Sequence, residues 1–272
     1  MNVAIDTTAT EIEAFHRRML QVLVDAGVPF MVGGGYALRH FTGITRPPKD
    51  LDVFVHPADC PAALAALAGA GCRTEMLFPH WLGKATAAEG YVDVIFSSGN
   101  GVAEVDDGWF DTAVDGCVMG LPVRVCPVEE TIWSKAFVME RERYDGADVA
   151  HLLHACGRTL DWNRLLNRFG AHWRVLMSHL MLLDFIYPPP STIPAWVMGR
   201  LIGRLRTEVA VGLSGEALCQ GTLLSRPQYL DDLAAGGLGD ARVAPHGRMS
   251  PAEAALWTEA IEEEPPEGDA ES

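Results

Sequence analysis

The chain has 272 residues, 49% of them hydrophobic, and a formal net charge of −15. That is enough apolar material for one large or two small domains, and no run of about 18 apolar residues exists to cross a bilayer. Seven acids and no base lie between Glu259 and Glu271, and the remainder still carries −8, so there is no overall basic field to attract a phosphate backbone and large nucleic acids are disfavoured as partners.

Met1 to Glu13 lacks the basic and apolar regions of a signal peptide. The six cysteines are scattered without a C-x-x-C pair, which predicts free thiols in a reducing cytoplasm rather than a disulfide framework or a zinc site. Glu11 to Ala26 predicts an amphipathic helix with Ile12, Phe15, Met19, Val22 and Leu23 on one stripe, stopped by Gly27. The apolar run Val28 to Val32 then enters Gly33-Gly34-Gly35. A buried strand delivered into a tight glycine turn, with a short helix after it, offers backbone N–H groups to an anion with no Cβ in the way.

Arg46 and Lys49 lie in the loop that leads to Asp50 and the strand Leu51 to Val55. Alternation along a strand puts Asp50 and Asp52 on one face and Leu51 and Val53 on the other. Two such carboxylates repel unless a cation lies between them, and an oxygen-only set suits Mg²⁺ or Mn²⁺. Pro57-Ala58-Asp59 reads as the cap of a helix through Ala68, followed by a strand from Arg73 to Phe78. A hairpin through Ala88-Glu89-Gly90 brings the strand Tyr91-Val92-Asp93-Val94-Ile95-Phe96 beside the Asp50/Asp52 strand. All three aspartates sit in apolar strands, where buried charges are paired or bind metal. Ser97 to Gly101 reads as a loop at the exit of the Asp93 strand, placed to line a pocket. For His80 and Lys84, around Trp81 on the strand before Asp93, a surface hairpin is preferred to the alternative that they face a bound ligand.

Val118 to Val125 predicts an edge hairpin, and Pro127-Val128-Glu129-Glu130 the start of a long helix carrying Ile132, Lys135, Ala136, Met139 and Arg143. That helix breaks or bends near Tyr144-Asp145-Gly146, and Asp145 and Asp148 read as partners of arginines that lock the two domains together. His151 and His154, without metal-ligand neighbours, read as packing residues, and Trp162 and Trp173 as core. Three further helices are expected at Asp161–Phe169, Trp173–Tyr187 and Pro194–Val209. Beyond Gly212 the Gly/Pro content rises, and the acidic segment from Glu262 has the composition of a disordered tail.

A Gly-Gly turn after an apolar strand, Asp-x-Asp at Asp50 and Asp52 on the next, and a third carboxylate at Asp93 resemble the nucleotidyltransferase superfamily. It includes DNA polymerase beta, the CCA-adding enzymes and the aminoglycoside and lincosamide nucleotidyltransferases. The resemblance implies an α+β chain: a polymerase beta-like mixed sheet flanked by helices in residues 1–127, a helical domain in 128–212, and an irregular region in 213–272. It implies transfer of a nucleoside monophosphate from an NTP to an acceptor hydroxyl, with release of pyrophosphate. Asp50, Asp52 and Asp93 would be the catalytic residues and hold two Mg²⁺ or Mn²⁺ ions. Gly33, Gly34, Arg46, Lys49 and Lys135 would meet the nucleotide. Two features depart from the family pattern: glycine stands where a serine is common in the turn, and fifteen residues separate Gly34 from Asp50. The length with a helical domain favours a small hydroxylated acceptor over the protein hydroxyl used by AMP-adding, toxin-type members. A non-catalytic nucleotide sensor of the same fold is the competing class, and retention of Asp93 argues against it. A hydrolase using Asp50 and Asp93 as acid and base leaves the glycine turn without a purpose.

Overall fold

The computed structural model describes residues 7–46, 49–212 and 217–260. In chain order the elements are α1 (Thr7–Asp25), β1 (Met31–Val32), α2 (Gly34–Thr42), β2 (Leu51–Phe54), α3 (Cys60–Gly69), β3 (Arg73–Phe78), β4 (Leu82–Ala87), β5 (Gly90–Ile95), α4 (Asp107–Asp111), β6 (Val114–Val118) and β7 (Leu121–Val125). There follow α5 (Val128–Lys135), α6 (Gly146–Cys156), α7 (Trp162–Phe169), α8 (Trp173–Ile186), α9 (Ala195–Val211), β8 (Leu218–Cys219), α10 (Leu230–Ala234), β9 (Gly239–Asp240) and α11 (Pro251–Glu259). The fold is α+β. Its seven-stranded sheet runs in the order β3-β4-β5-β2-β1-β7-β6, antiparallel except for the β2–β5 and β1–β7 pairs. No helix among the described residues is long and apolar enough to cross a membrane.

Period-2 alternation gives the sheet two different faces. Leu51, Val53, Val92 and Val94 are fully buried under α1 and α3 in one core. From α1 that core receives Phe15, Met19 and Leu23, one helical stripe, together with Leu20. The opposite face, with Asp52, Phe54 and Asp93, turns toward a second core built from α4 to α9, where Trp109, Ile132, Leu152, Leu165, Phe169, Leu176 and Val197 are buried. Phe54 stacks on Trp109 with ring centroids 5.5 Å apart. The functional candidates therefore lie where the sheet meets the helices.

Several helix ends follow local chemistry. Gly43 ends α2 in the left-handed region, φ 73°, its N–H donating to Arg39 O. Asp161 caps α7 by accepting from the Arg164 N–H at 3.0 Å. Ser250 and Glu253 form a reciprocal capping box on α11. Asp59 caps nothing through its side chain; residues Pro57–Asp59 form a single 3₁₀ turn leading into α3.

Two sequence expectations are corrected. The helix begun at Val128 stops at Lys135 instead of running to Arg143. Residues 139 and 144 instead form an antiparallel bridge, because the Met139 N–H donates to Leu224 O, the Glu140 N–H to Arg143 O and the Asp145 N–H to Val138 O. Those bonds take donors away from the helical ladder. Of the hairpin at 118–125, only β6 is an edge; β7 lies inside the sheet, parallel to β1. The segment 217–260 holds the short β8–β9 pair and the helices α10 and α11. The expected acidic tail falls on residues 261–272, outside the described ones.

Candidate active site

The site begins at Gly34, the first residue of α2. Its φ is 51°, and a Cβ there would lie 1.6 Å from Asp52 Oδ2. Only glycine lets the helix terminus approach the carboxylate so closely. At Gly33 a Cβ would strike the Phe54 ring at 2.2 Å, and the Gly33 N–H donates to Asp52 O at 3.0 Å. The turn and the aspartate strand are thus built against each other. The N-terminus of α2, whose first-turn N–H groups have no acceptor within the helix, sits beside an acid cluster.

Register supplies the third carboxylate. β2 and β5 are parallel with Asp52 opposite Asp93. Asp50, Asp52 and Asp93 each offer an oxygen, and all three atoms lie within 4.8 Å of one another. Burial pushes the Asp52 carboxyl up to about 7, with the Asp50 and Asp93 charges adding to the effect. Burial also raises Asp93, while Lys84 opposes that rise. Three half-buried carboxylates that crowd each other without full neutralisation fit a hard divalent cation, and every donor is oxygen, as Mg²⁺ or Mn²⁺ prefers.

The cations arrive from β4, from the end of α5 and from the connection to α6. Lys84 Nζ lies 3.2 Å from Asp93 Oδ1 and 4.1 Å from the centre of the Tyr91 ring. Lys84 is therefore part of the site, not of a surface hairpin as the sequence suggested: the β4–β5 register sets it directly across from Asp93. Lys135 Nζ lies 3.0 Å from both Asp145 Oδ2 and Asp148 Oδ2. Arg143 bonds Asp145. Burial acts to raise the Asp145 carboxyl, but Lys135 and Arg143 overcome it and hold it below the ordinary range. Burial works against the Lys135 charge, and the two aspartates restore it, leaving its pKa raised.

A cavity opens onto this cluster. Gly33, Gly34, Asp52 and Lys135 line it, together with Arg143, Trp81, Asn100 and Trp257. Ser97, Ser98 and Gly99 line it too, as the loop's place after β5 suggested. Asp50 and Asp93 join through the carboxylate cluster. Arg46 and Lys49 are not among the lining residues: Arg46 pairs with Asp148 at 3.5 Å, and Lys49 is an exposed residue one position before Asp50. Asp145 and Asp148 pair with arginines as expected, but their shortest contacts are to Lys135. His151 lies 2.8 Å from the Tyr187 hydroxyl and His154 stacks on the same ring, while Trp162 and Trp173 are core.

Trp257, Arg226 and Ser225 were beyond sequence reasoning. No local pattern ties them to a strand far earlier in the chain. Lys84 was within reach: a turn that pairs Ala87 with Gly90 also pairs Lys84 with Asp93.

No protein-family model matches the chain, and no curated protein matches it in sequence. Among solved structures it is similar to the solution structure of the antibiotic-resistance factor ANT(2'')-Ia (TM-score 0.44, 19% identity, 64% of this chain and 96% of that one). ANT(2'')-Ia in complex with adenylyl-2''-tobramycin is another (0.40, 17%, 64% and 98%). A third is an antigenic nucleotidyltransferase-like protein from Paracoccidioides brasiliensis (0.35, 14%, 65% and 93%). These likenesses are too distant to assign any residue a role, and the chemistry rests on the cavity itself.

Proposed function

We propose that this protein is a metal-dependent nucleotidyltransferase that moves a nucleoside monophosphate from an NTP to the hydroxyl of a small acceptor. The supporting observation is the meeting of three carboxylates, within 4.8 Å, with a glycine turn that admits no Cβ beside Asp52. Asp50, Asp52 and Asp93 would hold Mg²⁺ or Mn²⁺, which when bound supplies charge neutralisation at the triphosphate. The N–H groups of Gly34 and the first turn of α2 bind phosphate oxygens, while the Gly33 N–H stays on Asp52 O. Arg143 faces the same cavity and offsets phosphate charge, while Lys135 keeps Asp145 and Asp148 in place around it.

In the transfer the acceptor oxygen bonds to the α-phosphorus. The α–β bridging P–O bond breaks, its electron pair leaving on pyrophosphate. The hydroxyl proton passes to the Asp93 carboxylate, positioned by Lys84 at 3.2 Å. No covalent intermediate is needed, because positioning and charge compensation carry such a reaction.

Thermal unfolding with each NTP, with and without Mg²⁺, tests the reading. A ligand at about 100 times its Kd stabilises the folded state by about 2.7 kcal/mol. One NTP should raise the unfolding temperature only when Mg²⁺ is present, and Asp52→Asn should reduce the rise. Absence of any shift with every NTP at millimolar concentration overturns the reading.

A further inference from the structure

The cavity lined by Asp52 is also lined by the C-terminal segment, through Ser225, Arg226 and Trp257. Trp257, on α11, packs edge-on against Trp81 with centroids 5.0 Å apart and an interplanar angle of 74°. The Arg226 guanidinium lies 4.2 Å from the centre of the same Trp257 ring. Both Trp81 and Trp257 line the cavity, so part of its wall is aromatic and suited to a ring system.

Two polar groups on that side have no partner. The Ser225 hydroxyl, on a residue 1% exposed, and the Trp81 indole Nε1 are buried without a hydrogen bond among the described residues. Unpaired buried polar groups are costly, and both residues line the cavity, so a ligand group that reached them after a small side-chain shift would relieve part of that cost. Asn100 is already engaged, its Nδ2 donating to Leu223 O at 2.7 Å.

The charges decide the ligand class. Besides Asp52, the acids lining the cavity are Glu140 and Asp145. Glu140 receives two bonds from the Arg226 side chain, at 2.7 and 2.9 Å. Asp145 is held by Lys135 and Arg143. Away from the Asp50–Asp52–Asp93 cluster, which the proposed metal would occupy, an incoming ammonium group would find these carboxylates already paired with lysine and arginine, and burying it unpaired is expensive. Neutral hydroxyls and rings meet no such barrier.

We propose that the acceptor is a neutral, ring-bearing hydroxyl compound, seated against Trp81 and Trp257 with a polar group on Ser225, and not a polycation. This rests on the nucleotidyltransferase reading, and the experiment separates the two. Once the stabilising NTP is known, pyrophosphate release is measured with a panel of neutral aryl glycosides and nucleosides, and with tobramycin as the polycation. At least one neutral compound should be turned over with kcat/KM about tenfold or more above tobramycin. Trp257→Leu and Ser225→Ala should each raise that acceptor's KM by about tenfold and leave the NTP KM within about twofold. Retained stabilisation by the NTP shows that both variants are folded.

Preference for tobramycin, no turnover of any neutral compound by an enzyme that still binds NTP, or a rise in the NTP KM in place of the acceptor KM would each overturn the proposal. The last result would assign the aromatic wall to the nucleobase. If no NTP binds at all, the nucleotidyltransferase reading fails first and the acceptor proposal falls with it.

Discussion

At Gly34 the absence of one methyl group decides whether α2 and the Asp52 carboxylate can share a corner, since a Cβ would stand 1.6 Å from an oxygen. A few residues away in space, His16 shows how the same corner restricts protonation. It is fully buried on α1, with Nδ1 2.9 Å from the Tyr36 hydroxyl. Burial pulls its pKa down to about 4, against the opposing charge of Asp50. In the unfolded chain a histidine titrates near 6.5. Below that pH the unfolded state takes up a proton that the native state refuses. Stability is therefore complete above about pH 6.5 and falls as pH drops toward 4, by up to about 3 kcal/mol at 1.36 kcal/mol per unit. His16→Gln should flatten this part of the curve in urea denaturation at pH 7 and pH 5. A variant that keeps the full slope would show that other groups cause it.

At the scale of elements, ion pairs fasten the helices to one another and to the sheet. Glu130 of α5, with its side chain fully buried, accepts from Arg164 and Arg168 of α7. The Lys135–Asp145–Asp148 set joins the end of α5 to the start of α6, all three side chains less than a fifth exposed. Removing one member leaves buried charge uncompensated. Lys135→Met should therefore cost about 3 kcal/mol or more in urea denaturation. Arg46→Gln, which removes a 61% exposed partner of Asp148, should cost less than about 1 kcal/mol. Equal costs would rule out the buried network as the fastening. The short α5 belongs to this scale too. Its acidic start and Pro127 were readable, but after its stop at Lys135 the chain is bonded to distant residues, the Met139 N–H donating to Leu224 O.

Across the whole molecule, the C-terminal segment closes the cavity through Arg226, which bonds Glu140 with side chains 11% and 10% exposed. Arg226→Gln should speed hydrogen exchange at Met139, whose amide bonds Leu224, by about tenfold or more, while amides in α1 keep their protection. A uniform loss of protection would mean that the pair supports the entire fold and not this closure. By itself the sequence determined the strand–turn–helix, the aspartates on one strand face and the third carboxylate on a neighbouring strand. Those features follow from period-2 alternation, glycine's freedom and the cost of buried charge, all of which act over a few residues. Tertiary structure alone decided that Trp257 meets Trp81, that Arg226 neutralises Glu140, and that Lys135 is held by Asp145 and Asp148 while Arg46 turns away to Asp148. Such contacts join side chains brought together by the packing of separate elements, and no local periodicity encodes which distant partner a tryptophan or an arginine will find.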